Sequence, residues 1–277
     1  MSNVDKQTVH GFGDQWSRFD QSALGETELQ TFFEQYFQVF PWDALPEGAV
    51  GFDLGCGSGR WAKLVAPRVG TLHCIDASAA ALAVAREKLR DQPQCNLHHA
   101  SVDAMPMADS SMDFGYSLGV LHHVPDTAAG IRACVAKLKP GAPFLIYLYY
   151  AFDNRPAWFR GLWKVSELGR SVVSRLPHSL RYAVSQGIAG AVYFPLARSA
   201  ALLEGVGVEV ERFPLSAYRH RTFYNMRTDA LDRFGTRLEQ RFTREQIRSM
   251  MEAAGLERIT FGDFPFWCAV GYKRAAQ

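Results

Sequence analysis

The sequence predicts an α/β fold: a doubly wound, mostly parallel sheet of seven strands with an inserted helical lid. Three observations carry that expectation. Short apolar runs alternate with helical segments from about residue 49 to residue 150. One of those runs, "APFLIYLYY", is continuous rather than alternating, as befits a strand covered on both faces. The alternation then stops near residue 150 and resumes near residue 243.

In order, "AVGFDL" reads as the first strand and "RWAKLVAPR" as the helix behind it. "TLHCID" is the second strand, followed by the Ala-rich helix "SAAALAVAREKLRD" with Ser78 placed to cap it. "CNLHHAS" is a weaker third strand and "DFGYSLGV" a fourth, with a helix from about Asp126 to Lys139; "APFLIYLYY" is the fifth. Near the C-terminus "TREQIRSMMEAAG" carries a capping box, Thr243 with Gln246, an apolar face of Ile247, Met250, Met251 and Ala254, and a terminating Gly255. "LERITFGDF" and "FWCAVGYKR" supply two more strands. Between residues 151 and 239 the chain does not alternate; it reads as helices broken at Pro177, Gly187, Gly190 and Pro195, set on the edge where the sheet's ligands bind. The expected organisation is an N-terminal helical segment (1–48), a core (49–150 and 240–277) and the insertion (151–239).

Composition narrows the function classes. With 277 residues, 48% of them apolar and 13% aromatic, the chain can build a large core. A formal charge of +2 gives no electrostatic case for a nucleic-acid partner. The five cysteines stand singly, without zinc-ligand spacing, so reduced thiols, no metal and a cytoplasmic protein are expected. No run reaches the ~18 apolar residues of a spanning helix, so stable membrane insertion is not expected.

The chemistry begins at "VGFDLGCGSGRWA". A strand running directly into glycines and then a helix brings bare backbone up to a ligand at the strand's carboxyl end. Gly55, Gly57 and Gly59 are spaced GxGxG, one residue tighter than the dinucleotide fingerprint, and no GKS or GKT follows. Asp53 would repel a pyrophosphate but suits a cationic ligand. Asp76 ends the second strand, where a carboxylate accepts from ribose hydroxyls, and Asp103 follows the third, where one accepts from an exocyclic amine. Each also has a plainer reading: Asp76 as a helix cap, Asp103 as a loop acid.

These stretches, with "HCIDAS", "ASVDAMPMADSSMDF", "LGVLHHV" and "LKPGAPFLIY", resemble successive motifs of the class I S-adenosylmethionine-dependent methyltransferases of the small-molecule type, strongly over 49–150 and loosely over 243–274. The resemblance implies a Rossmann-like core binding S-adenosylmethionine and releasing S-adenosylhomocysteine. It implies that the backbone from Gly55 through Cys56 and Gly57 to Gly59 wraps the methionine part, with Asp53 behind it. It implies Asp76 on the ribose, Ala77 beside the adenine, Asp103 on its amine, and Ala104 and Met105 lining the ring. Leu118 and Gly119 face the sulfonium. "GFGDQWSRFD" is similar to the family's aromatic segment that folds over the cofactor, with Trp16 beside the sulfonium or merely anchoring the N-terminus.

For the acceptor, His122 and His123 stand where a base reaches, or anchor their loop. Tyr147, Tyr149 and Tyr150 end the fifth strand. In "SAYRHRTFYNMRTDALDRFGT", Tyr218, Arg219, His220, Arg221, Tyr224 and Asn225 crowd donors and aromatics into eight residues, as a pocket wall or as a salt-bridged loop. From Arg155 to Leu203 there are seven Lys/Arg and one acid, interleaved with Trp158, Phe159, Leu162 and Trp163. Such a stretch is a lid helix with a solvated basic face, or a peripheral contact with an anionic membrane. The expected activity is O- or N-methylation of a small molecule such as a secondary metabolite, sugar or lipid-like intermediate. The alternatives are a non-catalytic module binding S-adenosylmethionine or its product, a methyltransferase for a membrane-associated, lipid-linked substrate, and an NAD-dependent oxidoreductase. Asp53 and the glycine spacing argue against the last. The sequence leaves the oligomeric state open.

Overall fold

The computed structural model describes residues 2–19, 25–264 and 266–275. Asp20, which closes the aromatic segment read above, lies outside the described residues, as do residues 276 and 277 at the end of the expected core. The chain divides into two compact units, one formed by 2–19, 25–153 and 238–275, the other by 154–237.

The first unit is built on seven strands: β1 Val50–Leu54, β2 Thr71–Asp76, β3 Cys95–His99, β4 Phe114–Leu118, β5 Pro143–Tyr147, β6 Leu256–Phe261 and β7 Cys268–Lys273. Their order is β3-β2-β1-β4-β5-β7-β6, with β7 antiparallel to both neighbours and the remaining pairs parallel. Successive connections run outward from β1 on one side and from β4 on the other. Their carboxyl ends therefore flank the topological switch point, where ligands bind in open α/β sheets.

At that junction the two central strands interlock. Gly51 is paired with Phe114 and Phe52 with Gly115, so each phenyl ring lies over the neighbouring strand's glycine. The two rings occupy opposite faces, because side chains alternate along a strand. Phe52 lies in the core with Phe144, and Phe114 lies in the core with Phe40. A Cβ on either glycine would sit inside the opposing ring.

The helices follow from local chemistry. Ser78 Oγ accepts from Ala81 N–H and starts α4 (Ala79–Lys88); Asp126 does the same for α5 (Thr127–Lys137). Both halves of the Thr243/Gln246 capping box are made at α10 (Arg244–Ala253). The helix after β1 is shorter than its sequence suggests: α3 is only Ala62–Val65, and the chain tightens into a 3₁₀ turn at Pro67. N-terminal helices α1 (Lys6–Arg18) and α2 (Glu26–Tyr36) belong to this unit; α2 delivers Phe33 and the residue after it, Phe37, to Trp42 and Tyr116.

The second unit is helical: α6 Ala157–Val173, α7 His178–Ile188, α8 Phe194–Gly205 and α9 Phe223–Gly235. Gly187 and Gly190 do not break it. Gly187 lies within α7, the chain passes through Gly190 by a π-helical turn, Ala189–Tyr193, and Pro195 lies in the first turn of α8, where a missing N–H costs nothing. Its core gathers Ala189, Tyr193, Ala197, Met226 and Ala230.

The strand interlock sets a test. Gly115→Ala is expected to lower stability by about 1–3 kcal/mol, as other overpacked cores do. Gly161→Ala, at an α6 position whose added Cβ meets nothing, is expected to raise it by up to about 1 kcal/mol. Urea midpoints of the two variants check both signs.

Candidate functional site

The turn after β1 is closed by its own hydrogen bonds. Gly55 and Cys56 donate to Ile75 O (2.7 and 3.0 Å), Gly59 donates to Cys56 O (2.9 Å), and Gly57 donates to Asp76 Oδ2 (2.9 Å). All three of its glycines have conformations that other residues reach only with strain: Gly55 at φ +77°, packed on Val120, Gly57 at φ +54°, where an added Cβ would stand 3.0 Å from Trp16 Nε1, and Gly59 at φ +76°. With those four amides committed internally, the turn is not an anion-binding nest, which removes a phosphate-bearing cofactor on geometry rather than on spacing.

The three acids read from the sequence differ in setting. Asp53 is buried, accepts from Tyr116 Oη at 3.1 Å, and has its pKa pushed up to about 8 by burial, against the lowering effect of that hydrogen bond. Asp76 accepts from Gly57 N–H and from Ser78 N–H (2.8 Å); burial raises its pKa and the two amides oppose the rise. Asp103 is exposed on a 3₁₀ turn, where the Ser101 hydroxyl (2.5 Å) and the Asn3 amide (3.0 Å) hold its pKa low. A cavity of about 540 Å³ opens between α1 and the start of α4, with Val9, Gly13, Ala77 and Ser78 in its wall. Ala104 is exposed beside Asp103, whereas the Met105, Cys56 and Leu118 side chains are packed into the cores beneath the rim.

Residues 52–146 match the family model described as a methyltransferase domain. Over that segment, which is less than half of its length, the chain is similar to the class I S-adenosylmethionine-dependent methyltransferases. It is 31% identical to the 2-phytyl-1,4-naphtoquinone methyltransferase of Thermosynechococcus vestitus over 45% of this chain and 59% of that one. It is 33% identical to phosphoethanolamine N-methyltransferase 2 of Caenorhabditis elegans over 37% of this chain and 24% of that one. The chain thus spans well under two thirds of those relatives' length. A solved S-adenosylmethionine-dependent methyltransferase of Thermotoga maritima shares the fold, with a TM-score of 0.54 at 13% identity, over 96% of this chain and 100% of that one. The cofactor that goes with this family is S-adenosylmethionine. The residues present fit it: the Asp76 carboxylate is held on a turn whose amides are taken and which offers no phosphate nest, with Asp53 buried at the end of the strand before it, so the place suits a cationic rather than an anionic group.

Beyond the turn, the carboxyl ends of β4 and β5 carry an aromatic wall. Tyr36 of α2 stands 5.0 Å from Tyr147, 5.1 Å from Trp61 and 5.1 Å from Phe266, ring centre to ring centre. β5 stops at Tyr147, so Tyr149 and Tyr150 lie past the strand rather than ending it. Tyr149 turns onto His122 (3.8 Å) and under the Arg241 guanidinium (4.9 Å). Both histidines are buried, and their rings are 4.0 Å apart. Burial, then His123 and Arg241, keep the His122 pKa well below its usual value, so the ring is neutral. The two rings use Nδ1 in opposite senses. His122 Nδ1 faces the Tyr149 N–H (3.4 Å) and so accepts; His123 Nδ1 faces the Leu238 carbonyl (2.7 Å) and so donates, leaving Nε2 as its basic nitrogen. Sequence reasoning missed Tyr36 and Arg241, which sit in no motif, and gave no role to Trp61 inside the glycine stretch or to Phe266 before the last strand; the three aromatics meet only in the fold.

The other acceptor candidates belong to the second unit, and several are committed there. Arg219 grips Glu204 with two hydrogen bonds (2.8 and 2.9 Å), and His220 Nε2 meets the same carboxylate at 2.7 Å. Arg219, then His220, pull the Glu204 pKa down to about 2. Arg198 donates to the carbonyls of Arg219 and Arg221. Tyr218 stacks edge-on to Tyr193 at 5.3 Å, and Tyr224 lies in the first turn of α9.

Asp53 makes stability depend on pH with a definite sign. Its folded pKa of about 8 lies above the ordinary value of 3.8, so between those limits the folded chain holds a proton that the unfolded chain has lost. Stability from this group therefore falls as pH rises, by about 1.4 kcal/mol per pH unit. Asp53→Asn carries no such proton, and denaturation from pH 5 to 7 is expected to show the variant gaining on the parent at that slope.

Proposed function

We propose that the chain transfers the methyl group of S-adenosylmethionine to a hydroxyl or amine of a small planar molecule. The observation that supports this best is the glycine turn whose amides are internally satisfied, tied to Asp76 and leading through Trp61 into the aromatic cluster of Tyr36 and Tyr147. The cofactor, when bound, supplies an electrophilic methyl on a cationic sulfur. Backbone from Gly55 to Gly59 bounds the methionine part, with Cys56 in the wall behind it, while Asp76 accepts from the ribose and Asp103 from the adenine amine. Ala77, Ala104 and Met105 frame the base. Leu118 and Gly119 form the floor, and Trp16, already packed on Gly57, covers the opening.

The acceptor is assigned to Tyr36, Tyr147, Tyr149 and Phe266, whose faces hold a flat ring in line with the departing methyl. For a hydroxyl acceptor the proton passes to His123 Nε2, the nitrogen its Leu238 hydrogen bond leaves basic; His122 positions Tyr149. The second unit, with Tyr218, Arg219, His220, Arg221 and Tyr224, is proposed to act in acceptor selection. The relatives whose names mention a quinone or an ethanolamine support a small-molecule acceptor without fixing which one.

Calorimetry with S-adenosylmethionine and S-adenosylhomocysteine is the first test. Both are expected to bind, and Asp76→Ala to weaken them roughly tenfold to a hundredfold, the worth of hydrogen bonds to a charged group. No heat with either compound, together with a heat on adding NADH, would sink the assignment. With a labelled methyl donor and a panel of phenols and amines, His123→Gln is expected to lower kcat on phenols by about a hundredfold or more while cofactor affinity stays unchanged. An equal loss of cofactor binding would reassign His123 to a structural role.

A further inference from the structure

We infer that the outer face of α6 is a docking surface for a bilayer carrying anionic phospholipid. α6 has two apolar rows rather than one. Phe159, Trp163 and Val173 turn inward within the helical unit, where Arg233 lies over the Trp163 ring at 5.1 Å. Trp158, Leu162, Val165, Leu168 and Val172 recur at intervals of three and four on the other side, each between 51 and 69% exposed. Over this span a helix rises about 20 Å, so the row is a continuous strip and not a scatter of single residues. The outer face is therefore apolar, which departs from the solvated basic face that was one of the two readings of the sequence, the other being a peripheral contact with an anionic membrane.

The charges beside that strip choose its partner. Arg160 and Lys164 are exposed one turn apart and fall together along one flank of the row. From Arg155 to Leu203 the seven Lys/Arg face a single acid, Glu167, although the whole chain carries only +2. Glu167 is itself held by Arg170 and by Arg233 (2.9 Å). A second copy of the chain laid on this strip would set Arg160 and Lys164 against their own kind, with the helix's one acid already engaged. An anionic lipid surface instead meets the cations with phosphates and the apolar row with acyl chains, and Trp158 suits the boundary between them. Among the described residues no helix is long and apolar enough to cross a membrane, so the contact is one of lying on the surface.

Flotation of the full chain with vesicles decides it. The protein is expected to float with phosphatidylglycerol-containing vesicles, at least tenfold less with pure phosphatidylcholine, and less as NaCl rises. Leu162→Gln with Val165→Gln, at exposed positions, is expected to lower binding at least tenfold with Tm unchanged; Arg160→Gln with Lys164→Gln is expected to remove the preference for phosphatidylglycerol. S-adenosylhomocysteine calorimetry on the same variants separates this result from any failure of the cofactor assignment. Three outcomes overturn the proposal: no flotation, equal flotation with both lipids, or a concentration-dependent dimer that Val165→Gln abolishes in a chain that ignores vesicles.

Discussion

The Asp76 carboxylate is the tie on which the rest of the candidate site depends. One of its oxygens takes the Gly57 N–H and the other the Ser78 N–H, so a single side chain fixes the glycine turn after β1 and the first turn of α4 together. The glycine turn in turn can pack on Val120 and under Trp16 only because Gly55 and Gly57 present no Cβ. The turn and the start of α4 are thus set by one half-buried acid whose charged form is favoured by the amides it organises. A residue that builds a site and also faces its ligand is hard to separate into the two roles by activity alone, because losing the tie loosens the turn.

Electrostatics give the same crevice its direction. Asp53 is buried beside Tyr116 and, because burial outweighs the Tyr116 hydrogen bond and the attraction of Arg60, keeps its proton through neutral pH. Bringing an ammonium or sulfonium up to it favours the ionised form, so the attraction is gained against the cost of giving up that proton, a cost that shrinks as pH rises towards 8. A pyrophosphate would gain no such attraction and would find the turn's amides already taken. The chemistry of the rim therefore discriminates between cofactors that bind at the same place on similar sheets.

How much of this was legible in the sequence depended on range. Ser78, Asp126 and the Thr243/Gln246 pair act within three residues of themselves, so their caps could be read from spacing. The glycine turn was legible for the same reason. The end of β5 was not: "APFLIYLYY" is apolar on both sides because both faces are covered, and such a run carries no mark of where pairing stops. The interruption is a long-range event, Tyr149 rotating onto His122. Tyr36, Trp61, Tyr147 and Phe266 come from four separate segments and share no periodicity, so nothing local announced the wall they make. The sequence also placed aromatics in the insertion without saying which way they turn, and Trp158 and Trp163, five residues apart, face opposite ways.

That last pair carries a general point about amphipathic helices. A helix with one apolar row can satisfy it by packing, and its other face is then free to be polar. α6 satisfies one row inside its own unit and still exposes a second, at a cost in solubility that a charged surface would avoid. Arg170 shows that polarity was not simply unavailable: it is buried on the inward side, donating to Thr236 O at 2.8 Å and pairing with Glu167. A cation is thus drawn into the packed side while leucine and valine occupy the outer one. That inversion has a physical rationale if the outer side meets an apolar medium, with Arg160 and Lys164 left at its margin to meet the charge that lies just above it.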